Sequence, residues 1–108
     1  MNFSLNIICR NELTEEKESE VQALLSALGI AEKAQFEPYW KDASLSQTIF
    51  GAELQNPDFN LIEARLSKIA GSEVALSTSL DEWEFSHYAS AEELACGKSS
   101  AFVVCQVF

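Results

Sequence analysis

Basic residues are the scarcest charged class in this chain. Seven lysines and arginines face seventeen aspartates and glutamates, which gives a formal net charge of −10. Close contact with nucleic acid or anionic lipid needs cations against the phosphates, so this composition argues against both as partners. A basic protein, in contrast, would be attracted and steered. Acidity also keeps a small protein dispersed in water, so the total charge alone does not decide between these two roles.

Residues that build reactive sites are also few. The four glycines stand singly at the ends of elements, which excludes a phosphate-binding loop. Cys96 and Cys105 are nine positions apart and the only histidine lies elsewhere, so no zinc-ligand spacing exists. Cys9 lies in an apolar run, as does Cys105, and burial there should raise the thiol pKa; Glu92 and Glu93 disfavour a Cys96 thiolate. We therefore expect a protein that is not an enzyme, with no cofactor and no metal.

The cysteine count and the N-terminal residues predict the cellular compartment, and the length predicts the number of domains. The cysteine count is odd, and the first residues, MNFSLNIICRNE, have no basic region before their short apolar run. Both features favour a reducing cytoplasm over secretion. No apolar stretch approaches the roughly 18 residues that span a bilayer. A length of 108 residues suits one domain over residues 1–108.

Two segments have the spacing of amphipathic helices. The first covers residues 14–28, with Thr14 as its cap, acids in its first turn and Gly29 after its end. The second begins at Asn56, which we expect to be the cap because Pro57 follows in the first turn, and it ends at Gly71.

The remaining apolar or alternating runs predict strands. They are 3–9, 35–40, 46–54, 73–79, 82–89 and 100–108, with 91–97 open between one helical turn and a loop. The order β-α-β-β-α-β-β-β predicts an α+β fold with a mainly antiparallel sheet and two helices packed on one face. One arrangement consistent with this order is a ferredoxin-like split β-α-β unit with an added C-terminal hairpin, and the strand order stays open.

The segment DEWEFSHYAS, residues 81–90, alternates along a predicted strand. Trp83, Phe85 and His87 would point to one side, and Glu82, Glu84, Ser86 and Tyr88 to the other. His87 has two interpretations: a partly buried histidine hydrogen-bonded beside Trp83 and Phe85, or a group that contacts a ligand or partner.

Acid is unevenly distributed. No lysine or arginine occurs between Lys68 and Lys98. The acids of residues 12–20 lie at a predicted helix start, where they complement the dipole, whereas the sequence gives no such reason for those of residues 73–93. Aromatic residues accompany them, although Tyr39 and Trp40 have the alternative role of closing the edge of the core. The predicted partner-binding residues are Glu73, Asp81, Glu82, Glu84, His87, Tyr88, Glu92, Glu93, Tyr39 and Trp40.

With its small acidic α+β character, its strand DEWEFSHYAS and its lack of a catalytic motif, the chain resembles bacterial immunity proteins, including those of contact-dependent growth inhibition systems. The resemblance implies a cytoplasmic protein that binds a cognate basic toxin, often a nuclease, and covers its active site. Two alternatives remain: a small ligand-binding or regulatory α+β domain, including a homodimer, and a small enzyme using His87 with a carboxylate such as Glu84.

Overall fold

A computed structural model describes all 108 residues. Its ten elements are six strands, three α-helices and one 3-10 turn. In chain order they are β1 (Asn2–Arg10), a 3-10 turn (Asn11–Leu13), α1 (Thr14–Ala27), β2 (Glu37–Pro38), β3 (Leu45–Glu53), α2 (Phe59–Ala70), β4 (Ala75–Ser79), β5 (Glu82–His87), α3 (Ala91–Ala95) and β6 (Ala101–Val107).

The six strands form one sheet in the order β2-β3-β1-β6-β5-β4, and every neighbouring pair is antiparallel. The predicted α+β class with an antiparallel sheet is therefore confirmed. The ferredoxin-like split β-α-β unit is also present: α1 connects β1 to β2, and β3 lies between these two strands. The added hairpin, β4–β5, precedes β6 in the chain and extends the sheet beyond it.

The main core lies between α1, α2 and one face of the sheet, as predicted. Alternate residues of β1 point toward the helices, and Leu5 and Ile7 are fully buried there. Leu24 of α1 and Leu66 of α2 are equally buried against them, because each belongs to the apolar stripe of its helix. We call this side of the sheet the helix side. None of the helices is both long and apolar enough to cross a membrane.

A smaller cluster lies on the opposite side of the sheet. Ile8 of β1, Leu45 of β3 and Leu94 of α3 are buried together there. The helix α3 exists because a reciprocal pair of hydrogen bonds closes its first turn: Glu93 N donates to Ser90 Oγ and Ser90 N donates to the Glu93 carboxylate, both at 3.1 Å. This pair settles the question that the sequence left open over residues 91–97.

The helix caps differ from the predicted ones. Asp58, not Asn56, caps α2: its carboxylate accepts a hydrogen bond from Leu61 N at 3.1 Å. Asn56 instead takes a left-handed conformation, φ 50°, which turns the chain before the helix begins. Thr14 lies inside α1, because the preceding 3-10 turn moves the cap to Leu13, whose side chain makes no capping bond.

The predicted hairpin is formed by β4 and β5, with Ser79 paired to Glu82 across a two-residue turn. Leu80 occupies the first turn position at φ 52° and is 99% exposed. This backbone region is costly for a side chain with a Cβ atom, since glycine or asparagine is the usual residue there. The turn is therefore strained at a leucine that contacts no core residue.

An acidic face on the β4–β5 hairpin

Strand β5 is anchored to the core through its aromatic residues. Phe85 is fully buried, and Trp83 stacks on Phe59 of α2 with 4.7 Å between ring centroids. Phe59 also lies parallel to Phe85 at 6.5 Å. The predicted alternation of this strand is thus present, because these side chains point to the helix side and their neighbours in sequence point away from it.

The outward residues of β5 form a polar surface with their cross-strand partners. Glu84 pairs with Ser77 of β4 and Gln106 of β6, while Glu82 pairs with Ser79. These side chains line a shallow cleft of about 220 Å³. We call this surface the acidic face; it comprises Ser77, Ser79, Glu82, Glu84, Gln106 and the adjacent Tyr88.

Neutral donors hold the Glu84 carboxylate in place. Tyr88 Oη donates a hydrogen bond to it at 2.6 Å, and Gln106 Nε2 donates at 3.4 Å. The Tyr88 ring packs against Phe102 with centroids 5.7 Å apart, yet Tyr88 is 65% exposed. The bond to Glu84 raises the pKa of Tyr88, because the carboxylate stabilises the protonated hydroxyl. The result is a fixed carboxylate beside an exposed aromatic ring.

No cation neutralises the acidic face. The two ion pairs of the molecule are Arg10–Glu12, at 3.8 Å, and Lys17–Glu20, at 3.4 Å. Both lie around the start of α1 and not on the hairpin. The acids of residues 73–93 therefore have no ion-pair partner within the chain.

His87 does not belong to this surface. It is half-buried on the helix side, in the same alternation as Phe85, and its Nε2 lies 3.3 Å from Ser99 Oγ. Glu84 points to the opposite side of the sheet. The two groups therefore do not face a common substrate, and the structure matches the interpretation of His87 as a partly buried, hydrogen-bonded residue.

The other predicted acids differ in their surroundings. Glu92 and Glu93 lie in the first turn of α3, so the prediction that this acidic block has no helix-end role is wrong for both. Glu93 is also committed to the Ser90 capping pair. Asp81 is exposed in the hairpin turn next to Glu82, and Glu73 is exposed just before β4. The acidic residues predicted as one surface thus divide between the hairpin and α3.

A second concave region adjoins α3. It is a cleft of about 320 Å³ whose lining includes Tyr39, Lys41, Leu94 and Phe102. Tyr39 is half-buried against the small cluster on this side of the sheet. Trp40 is 80% exposed, with Lys41 Nζ 4.9 Å from its ring centroid. The two roles considered for this aromatic pair therefore divide: Tyr39 closes a cluster and Trp40 lies on the surface.

Sequence reasoning missed this cleft because its walls come from a short helix and a loop. The available signal was apolar residues at positions that should face water. Ile8 interrupts the alternation of β1, and Phe102 does the same in β6. Apolar side chains on the second side of a strand indicate cover on that side as well.

The thiols are not arranged for nucleophilic chemistry. Burial raises the pKa of Cys9 to about 11 and that of Cys105 to about 12, as their apolar strands predicted. Cys96 is exposed, and its Sγ contacts the Glu93 carbonyl oxygen at 3.5 Å. No group of three or more histidine, cysteine, aspartate or glutamate side chains is placed to hold a metal ion.

Comparison of the chain with protein-family models, with curated proteins and with solved structures gives no match.

Proposed function

We propose that this protein is an immunity protein that acts in the cytoplasm, binds a cognate basic toxin domain and covers its active site with the acidic face. One observation carries the proposal. Glu82 and Glu84 lie on the same open side of β5, beside the exposed ring of Tyr88, and neither carboxylate has an ion-pair partner in the chain. A toxin that acts on nucleic acid is the favoured partner, because these carboxylates would occupy a groove that otherwise receives phosphates.

Electrostatics supports this role. Glu82 and Glu84 are two residues apart on one strand, so their side chains are about 7 Å apart and repel each other modestly. An arginine or lysine from a partner would remove this repulsion and speed association. The repulsion between the two carboxylates slightly destabilises the free protein, and binding of a basic partner would remove that destabilisation.

Preorganisation supports it further. The Glu84 carboxylate is already oriented by Tyr88 and Gln106, and β5 is fixed to the core by Trp83. Groups that are held in place before binding lose less conformational entropy in the complex. An exposed tyrosine next to fixed charges is also a typical composition for residues that dominate interface energies.

The direct test uses the gene next to the one for this chain. We expect it to encode a secreted protein with a basic C-terminal domain, and co-expression of the chain should protect cells from that domain. The double variant Glu82→Lys, Glu84→Lys should weaken the complex at least tenfold in calorimetry, a loss of about 1.4 kcal/mol or more.

The matched control is Glu15→Lys, Glu18→Lys, which changes the net charge equally at exposed positions on α1. It should leave the affinity within about threefold, since α1 packs on the helix side of the sheet. Equal losses in the two double variants would mean that only total charge matters, and an adjacent domain that does not bind the chain would contradict the proposal.

The cleft beside α3 favours a second function, binding of a small apolar ligand. Its volume of about 320 Å³ is at the low end of ligand sites, and Ile8, Leu94 and Phe102 give it an apolar floor. An apolar anionic dye, anilinonaphthalene sulfonate, should then bind with one-to-one stoichiometry and lose affinity in Ala91→Phe, which fills the cleft. No dye binding to the folded chain would count against this second function.

A further inference from the structure

The edge strand β4 has unpaired backbone groups, and the hydrogen-bond pattern shows which ones. Asn2 and Phe108 exchange both of their backbone hydrogen bonds, at 2.6 and 2.9 Å. Such pairs alternate along an antiparallel ladder, so the register can be followed from β6 through β5 to β4. Ser77 and its alternate neighbours bond to β5, which leaves the N–H and C=O groups of Leu76 and Thr78 pointing outward.

The side chains of β4 do not protect this edge. All five of its residues are exposed, and residues 74–80, VALSTSL, contain no charge, proline or glycine. Proteins usually blunt a free edge with lysine, proline or a very short strand. The opposite edge of this sheet is blunted in that way, since β2 has two residues and one of them is Pro38. The exposure of β4 is therefore specific to the edge beside the acidic face.

Charge argues against a second copy of the chain as the occupant. Full overlap of two antiparallel β4 strands around a two-fold axis at Ser77 would place Glu73 of each copy opposite Asp81 of the other. Like charges directly opposite each other are destabilising, and each copy carries a net charge of −10. A strand with basic side chains would instead place positive charge opposite Glu73 and Asp81, so that the contacts at both ends of β4 would be attractive.

We propose that β4 accepts an extended, antiparallel strand of a basic partner, which adds a seventh strand to the sheet. The proposal rests on the proposed function for the sign of the partner's charge. Valine-like side chains of the added strand would lie beside Leu76 on the helix side, where Leu76 is 46% exposed. Arginine or lysine at the alternate positions would lie beside Ser77 and reach toward Glu84 on the acidic face.

A seven-residue peptide of alternating arginine and valine, with arginine at both ends, tests this geometry on the full-length chain. In the proposed register the backbone groups of the valines bond to β4. Hydrogen exchange of the Leu76 and Thr78 amides, followed by NMR, should slow at least tenfold when the peptide is in excess. N-methylation at the valines should abolish this protection, whereas N-methylation at the arginines should leave it unchanged.

A pair of protein variants tests the same bond from the other side. Thr78→Pro removes one outward donor without touching a hydrogen bond to β5, and Thr78→Val keeps that donor. The peptide should protect Leu76 in the valine variant and not in the proline variant, with both variants melting cooperatively. If Thr78→Pro does not fold, the two methylated peptides still decide.

The outcomes separate this inference from the proposed function. Peptide binding that is insensitive to methylation at the valines would overturn edge pairing and leave the acidic face as the binding surface. Loss of toxin binding in the Glu82→Lys, Glu84→Lys variant without loss in Thr78→Pro would overturn it in the same way. No toxin binding at all would overturn the proposed function, whereas methylation-dependent peptide binding would then retain β4 as a pairing edge.

Discussion

Raising the pH from 8 to 10 should destabilise the fold through two buried thiols. Cys9 and Cys105 are fully buried, and burial raises the pKa of the first from 9.0 to about 11 and that of the second from 9.0 to about 12. In the unfolded chain both thiols ionise near pH 9, while in the folded chain they keep their protons. The stability that each buried, protonated thiol contributes to the fold is therefore fully present below pH 9, and it is lost as the pH rises toward the native pKa.

The size of the effect follows from the same values. At pH 10, one unit above the unfolded pKa, each thiol favours the unfolded state by roughly 1 kcal/mol. The two together remove roughly 2 kcal/mol, which is a large share of the 5 to 15 kcal/mol typical of small domains. Urea unfolding at fixed pH values between 7 and 10 measures this loss directly as a falling midpoint.

Substitution of the cysteines separates this effect from other titrations. The double variant Cys9→Ala, Cys105→Ala costs packing energy at pH 7, but its stability should fall by roughly 2 kcal/mol less between pH 8 and pH 10. Cys96→Ala is the matched control, because that thiol is exposed and its removal should leave the pH dependence unchanged. If the free energy of unfolding fell equally between pH 8 and pH 10 in the double variant and in the unaltered chain, the assignment of this fall to the buried thiols would be refuted.

Three further predictions concern the site and its support. Glu84→Gln should lower the pKa of Tyr88, followed by ultraviolet absorbance at alkaline pH, because the acceptor that stabilises the protonated hydroxyl becomes neutral; an unchanged titration would contradict the hydrogen bond. Leu80→Gly should raise the free energy of unfolding by about 1 kcal/mol, since it relieves φ 52° at an exposed position, and a loss would show that the leucine contributes contacts. Leu94→Ala should lower the free energy of unfolding by about 2 kcal/mol or more and should speed amide exchange more in α3 than in β1. Equal acceleration in both elements would contradict the role of the small cluster in holding α3 on the sheet.

Much of the fold was predictable because its elements follow strong local patterns. The stripe of α1 and the alternation of β5 each require one buried side, and the structure buries that side in both cases. The helix cap at Asp58 was not predicted, because the sequence offers Asn56 as an equally good cap and only the left-handed turn decides between them. Strand order was also inaccessible, since pairing depends on contacts between distant segments, such as that of Ser4 with Gln106.

The candidate site was predictable to the extent that it lies on one strand. Glu82, Glu84 and Tyr88 are within seven residues of one another, and alternation alone places them on a common side. The donor from Gln106 and the free edge beyond Ser77 come from other strands and needed the register. Reasoning from charge density alone also added Glu93, whose carboxylate serves to cap a helix.

The side of the sheet opposite the main core is divided by its own residues. Where β1 and β6 place Ile8 and Phe102 on that side, α3 covers them, because apolar side chains gain free energy from cover within the chain. Where the same strands place Ser4 and Gln106, a helix would gain little, since it would only remove polar groups from water. The hairpin half is therefore left open by the fold, and its carboxylates are accessible to a partner that supplies the positive charge this chain lacks.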